Sequence, residues 1–176
     1  MPWVSATNSG ASAIGSTIWH LAQHPEEQRR LRDDPALWSN ALEEFLRAYA
    51  PVTMAREVVE DVTLGGCPMH KGDPVLLPFP AANRDPEAFD DPDAVRLDRQ
   101  PNRHLAFGVG IHRCLGSHLA RLEVRIAGER LLARVPEFRL SCWPELAGSG
   151  DGEPRRARRL AGRDERREEI GLLGLE

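Results

Sequence analysis

The stretch FGVGIHRCLG, residues 107–116, places one cysteine among three glycines at the mouth of a long helical pattern. Glycine lets a backbone take φ > 0 or lie close against a large flat object. A cysteine near a helix N-terminus faces unpaired N–H groups, which favour its thiolate. A lone free cysteine is most often a small buried hydrophobe. The surrounding residues therefore decide what Cys114 is for.

Downstream, Leu115, Leu119, Leu122 and Ile126 make one apolar stripe, and Ala120, Val124, Ala127 and Leu131 make a second. So wide an apolar face predicts a largely buried helix. Pro136 stops it, and EFRL reads as a short strand. Upstream, Ile14, Ile18 and Leu21 predict an amphipathic helix over residues 9–24. Pro25 is placed to start a short helix running through Arg32. Leu42, Phe45, Leu46 and Tyr49 predict a third helix, with Asn40 and Glu43 spaced as a capping box and Pro51 as the stop.

Between the third helix and the cysteine loop the texture is different. VVEDVTLGG is β-branched and half-alternating, and Gly65-Gly66 is a hairpin signal. DPVLLPF is the expected return strand, confined to an edge by Pro74 and Pro78. Residues 80–106 form a long Pro/Asp/Asn-rich irregular segment, a type more often functional than incidental. The fold class expected is mainly α with small antiparallel β-sheets.

Composition sets limits on function. A chain of 176 residues fits one domain. A net charge of −4 offers no general basic face, which argues against nucleic acid as a partner. Cys67, Cys114 and Cys142 are odd in number, widely spaced and without C-x-x-C, which argues against a disulfide framework or a zinc site. With no membrane-length apolar run and no signal peptide, the chain is expected to be cytoplasmic. Residues 151–176 carry seven arginines and seven acidic residues with little periodicity, so 141–176 is expected to be a divergent, disordered tail.

Taken together, these segments resemble the C-terminal half of the bacterial cytochrome P-450 family, the haem-thiolate monooxygenases. Phe107, Gly108, Gly110, His112, Cys114 and Gly116 fill every fixed position of its Phe-Gly-x-Gly-x-His/Arg-x-Cys-x-Gly signature. Glu44 and Arg47 are similar to the family's Glu-x-x-Arg; the spacing alone would suit an ordinary surface ion pair. APVTMAR, residues 50–56, is similar to the segment that supplies a propionate-binding arginine, here Arg56. AANRDPEAF and NRHLAFG also match in place, so the resemblance covers roughly residues 5–140.

The resemblance implies haem b (iron protoporphyrin IX) as cofactor, with Cys114 as the thiolate ligand to iron. A haem thiolate favours O–O cleavage. His112 and Arg56 would pair with the propionates, and Phe107 would pack beneath the ring. Backbone N–H groups around Gly116 would hydrogen-bond the sulfur. Glu44 and Arg47 would form a buried structural network bracing the irregular segment. His104 is left between a propionate partner and a simple polar contact.

The resemblance further implies insertion of one oxygen atom from O2 into a small organic substrate. Electrons would come from NAD(P)H through a ferredoxin reductase and a ferredoxin. Two departures accompany it. The match begins within the oxygen-activating helix, so residues 1–140 correspond to only the latter part of a catalytic domain. In that helix, SATNSG at 5–10 stands in place of Ala-Gly-x-Asp/Glu-Thr. Ser9 keeps the hydroxyl, Asn8 replaces the acid of the proton relay, and Ala6 replaces the glycine. The alternative is therefore a truncated, catalytically inactive remnant with weak or no haem binding.

Overall fold

The computed structural model describes residues 3–140 and 161–162, with side chains described from residue 9 to 140. The expected tail at 141–176 lies outside the described residues, apart from 161–162. The order of elements is α1 (Trp3–Gln23), α2 (Pro25–Asp33), α3 (Trp38–Ala48), β1 (Met54–Glu57), β2 (Val62–Leu64), β3 (Cys67–Met69), β4 (Pro74–Leu77), α4 (Phe79–Ala82), α5 (Ser117–Arg134), β5 (Phe138–Arg139) and β6 (Ala161–Gly162). The chain is mainly helical with two-stranded antiparallel sheets, in line with its sequence pattern.

Helix α1 begins at Trp3, earlier than the periodicity predicts, and α2 starts on Pro25, which carries no N–H to leave unsatisfied. The capping box expected at Asn40 and Glu43 does not form. A 3₁₀ turn over Pro35–Leu37 leads directly into α3, and Asp34 accepts from the Ala36 N–H instead. Asn40 and Glu43 therefore sit inside the helix and make long-range bonds, Asn40 accepting from Gln100 at 2.9 Å.

The strand pairing differs from the expected hairpin. Gly65 and Gly66 have φ of 56° and 83° and close a tight turn, but between β2 and β3, with Leu64 opposite Cys67. DPVLLPF returns to an earlier segment: β4 pairs with β1, Met54 opposite Leu77 and Glu57 opposite Pro74. Pro68 hid β3 from sequence reading, since proline is depleted in strands.

The main core lies where α1, α2, α3 and α5 meet, and includes Leu21, Leu31, Trp38, Phe45, Leu97, Leu132 and Phe138. Two buried polar residues tie its edges. Gln28 acts as a strand edge for β5: its Nε2 donates to the Phe138 carbonyl at 2.8 Å, and its Oε1 accepts the Phe138 N–H at 3.2 Å. His20 bridges Tyr49 Oη and Glu27 Oε2, each at 2.7 Å, joining α1 to α2 and to the end of α3. Among the described residues no helix is long and apolar enough to cross a membrane.

The largest departure from expectation is α5, which is not largely buried. Val124, Gly128 and Leu132 face the core, but Leu115, Leu119, Leu122 and Ile126 are 98%, 59%, 54% and 47% exposed. Periodicity marks an apolar stripe, but whether anything covers it depends on the rest of the fold. On the buried side, α5 approaches Trp38 so closely that a Cβ on Gly128 would overlap the indole ring. Trp38 is 1% exposed and cannot move aside. Gly128→Ala should therefore destabilise the chain by about 1–3 kcal/mol, although alanine is the better helix former. Urea unfolding followed by circular dichroism measures this, and equal or greater stability would contradict the packing.

Candidate functional site

Helix α3 presents two adjacent carboxylates, Glu43 and Glu44, on which the site is built. Glu44 and Arg47 are both fully buried and pair through two hydrogen bonds of 2.8 and 2.9 Å. Arg99, 5% exposed, adds its Nε to both Glu44 oxygens at 3.0 Å. The Arg96 N–H and Asn102 Nδ2 complete the set at 2.8 and 3.0 Å. Burial pushes the Glu44 carboxyl up, but the bonds from Arg47, Arg96 and Arg99 outweigh it and hold it below the usual range.

The two guanidinium groups spend their remaining N–H groups on backbone. Arg47 donates to the carbonyls of Asn83, Pro92 and Ala94, and Arg99 to those of Asp90, Asp91 and Ala94. Asn83, fully buried, accepts the Leu105 N–H at 2.7 Å and donates to the Arg47 carbonyl at 3.2 Å. The irregular segment is thus fastened to α3 along most of its length. Arg99 and Asn83 were not singled out from sequence. Arg99 lies 55 residues from Glu44 with no local spacing to mark it.

Glu43 holds the next stretch. Its carboxylate accepts from Arg121 at 2.6 and 2.8 Å and from His104 Nε2 at 2.9 Å. Burial raises this carboxyl, yet Arg121 and His104 together bring it down to about 2. His104 is thereby a polar contact to Glu43, with its Nδ1 accepting the Ala106 N–H at 3.2 Å. Neither ring nitrogen is left for a propionate.

The cysteine loop follows from Phe107. Gly108 and Gly110 take φ of 67° and 65°, which side-chain-bearing residues rarely adopt. Gly116 has φ −78° and serves instead as N-cap of α5, so Cys114 lies just outside the helix. The Cys114 N–H donates to the Phe107 carbonyl at 2.9 Å, closing the loop. Its thiol is free and exposed. His112, at the end of a 3₁₀ turn, is also exposed.

Phe79, which opens α4 after β4, lies against Gly108, so the β1–β4 ribbon ends beside this loop. Arg56 is exposed on β1 of that ribbon and donates to the Ala55 carbonyl at 2.8 Å. Ser9 and Asn8 lie on α1, whose Gly10 faces Glu123 of α5.

Residues 4–145 match the family model described as Cytochrome P450. The chain belongs to the cytochrome P450 family. It is 44% identical over 137 residues to a probable cytochrome P450 127A1 of Sinorhizobium fredii, covering 78% of this chain and 33% of that one. Against the mycinamicin IV hydroxylase/epoxidase of Micromonospora griseorubida it is 43% identical over 141 residues, covering 78% and 35%. The solved structure of the Bacillus subtilis bacillaene polyketide synthase cytochrome P450 PksS superposes with a TM-score of 0.73 at 41% identity, covering 76% of this chain and 35% of that one. This cytochrome P450 chain spans about a third of the length of the curated relatives it matches.

Membership implies a haem cofactor, and the residues present fit one. Cys114 supplies a free, exposed sulfur donor. Exposed Arg56 supplies a guanidinium and exposed His112 an imidazole N–H, both donors of the kind that carboxylates need. Val109, Ile111 and Leu115 expose an apolar surface around the sulfur at 64%, 97% and 98%. Among the described residues no cluster of His, Cys, Asp or Glu could hold a bare metal ion.

Two outcomes follow from the paired carboxylates. Glu44→Gln removes the charge that two buried guanidinium groups share, and should cost about 3–5 kcal/mol and lower the soluble yield. Urea titration measures it; a stable, soluble variant would contradict the network. Glu43 titrates at about 2 when folded, against an ordinary value of 4.5, so its contribution is complete above pH 4.5 and is lost as pH falls towards 2. The stability difference between the wild-type chain and Glu43→Gln should shrink across that window in unfolding curves taken at successive pH values.

Proposed function

We propose that this chain carries the thiolate-ligand portion of a haem-thiolate monooxygenase that inserts one oxygen atom from O2 into a small organic substrate. The observation that carries the reading is the free, exposed Cys114 in a loop shaped by Gly108 and Gly110, within a segment whose relatives include a hydroxylase/epoxidase. Cys114 would hold the iron of haem b through its sulfur. His112 and Arg56 would pair with the propionates, and Phe107 would pack against the haem near the sulfur. Gly116, at the N-cap, lies beside Cys114, whose Sγ would be in ordinary contact at 3.9 Å with a Cβ built there. Glu44 and Arg47 act structurally, through the segment that they fasten.

Bound haem supplies the activation of O2 that no side chain can supply. Ser9 holds a hydroxyl on α1 at the position of the family alcohol, where it would donate a hydrogen bond to the oxygen that the cofactor activates. Asn8 occupies the position of the family acid and can donate from its amide, but it cannot release a proton as a carboxyl group does. Electrons reach the site from NAD(P)H through a ferredoxin reductase and a ferredoxin, and the protein acts in the cytoplasm.

A second reading is favoured by two observations: the exposed stripe on α5 and the asparagine at position 8. On this reading the chain is a catalytically inactive remnant that binds haem weakly or not at all. One experiment separates the two. The chain is loaded with haem, reduced and exposed to carbon monoxide beside Cys114→Ala. The first reading expects a thiolate-type carbon monoxide spectrum that the variant loses. Failure to take up haem supports the remnant, and a histidine-type spectrum in the wild-type chain would overturn the assignment of Cys114.

A further inference from the structure

We propose that Glu43 and Arg121 are positioning residues for the cysteine loop, acting through Phe107. The proposal rests on the reading of Cys114 as the ligand, but its geometry can be tested without haem. Phe107 does two jobs: its carbonyl closes the loop by accepting the Cys114 N–H at 2.9 Å, and its ring anchors the loop to the body of the protein. That ring packs beside Leu42, Leu46, Ala50, Ala106 and Val124. Two polar side chains also stand against it: Arg121, whose Cζ lies 4.6 Å from the ring centroid, and His104, whose ring lies at 6.2 Å.

Both of those contacts are governed by one carboxylate. Arg121 offers Nε and Nη2 as a fork to the two oxygens of Glu43, and its Nη1 donates to the Ser117 carbonyl at 3.3 Å. The guanidinium plane is thereby fixed in position over the ring. His104 Nε2 pairs with Glu43 at 2.9 Å and its Nδ1 accepts the Ala106 N–H at 3.2 Å, so the imidazole is fixed at both ring nitrogens.

A lysine at 121 would keep the charge but lose both the fork and the flat face. The side chains of positions 104 and 107 and the amide of 106 are thus referred to a single point on α3. The neighbouring residue on that helix, Glu44, takes Arg96, Arg99 and Asn102, and its partner Arg47 takes Asn83, Pro92 and Ala94.

Amide hydrogen exchange on the full 176-residue chain tests this, comparing wild type with Arg121→Gln and Arg121→Lys. The Cys114 amide should exchange roughly tenfold faster in both variants, while the amides of Val124 and Leu132 in α5 change less than about twofold. A merely structural role would raise exchange along all of α5, and that result, an unchanged Cys114 amide or rescue by lysine would each overturn the proposal. If Arg121→Gln is unfolded as a whole by circular dichroism, so that its amides report nothing local, Phe107→Leu decides. It leaves the Glu43–Arg121 pair in place and must free the Cys114 amide by itself; if it does not, the proposal falls. Cys114→Ala keeps the N–H and should exchange as wild type, so a failure of haem ligation is read separately.

Discussion

The buried carboxylate of Glu44 is the interaction on which the rest of the site depends. An ionised group with no solvent contact is tolerated only when its oxygens are fully engaged. Here Arg47, Arg99, the Arg96 amide and Asn102 all converge on it. Two cations on one anion leave an excess positive charge, and six inward-turned carbonyl bonds absorb it. The irregular segment owes its shape to this cluster, since it has no ladder of its own. The cysteine loop in turn starts from where that segment ends.

Helix α3 links this polar cluster to the apolar core. One of its faces contributes Trp38, Ala41 and Phe45 to the packing with α1, α2 and α5, while Glu43, Glu44 and Arg47 reach into the loops. A rigid helix carrying both kinds of side chain passes the precision of core packing to a loop that lacks regular structure. A loop on a glycine-rich backbone needs such outside support, because glycine gives conformational freedom without fixing one conformation.

Much of this could be read from sequence, for identifiable reasons. The cysteine loop was legible because glycine spacing and a cysteine before an apolar helix make a rare local pattern. Helices α2 and α3 were legible because Pro25 and the Leu42–Tyr49 periodicity are local signals. Arg99 and Arg121 were not legible: they meet their carboxylates across 55 and 78 residues, in a chain rich in arginine. The partner of β4 was misread because Pro68 disguised β3. The burial of α5 was misread because a stripe reports hydrophobicity and not the presence of a cover. Gln28 gave no sign that its amide would serve as a strand edge.

The grip of Arg47 and Arg99 on residues 83–94 carries a consequence for sequence drift. Asn83, Asp90, Asp91, Pro92 and Ala94 are held there through their carbonyl oxygens, a group that all twenty amino acids possess, while Phe89 meets Arg47 through its buried ring. The shape of this stretch is therefore written largely in Arg47 and Arg99, with few of its own side chains taking part. Glu87 and Asp90 are exposed to water and at liberty to change, and so the outer surface can diversify while the path of the backbone beneath it stays the same.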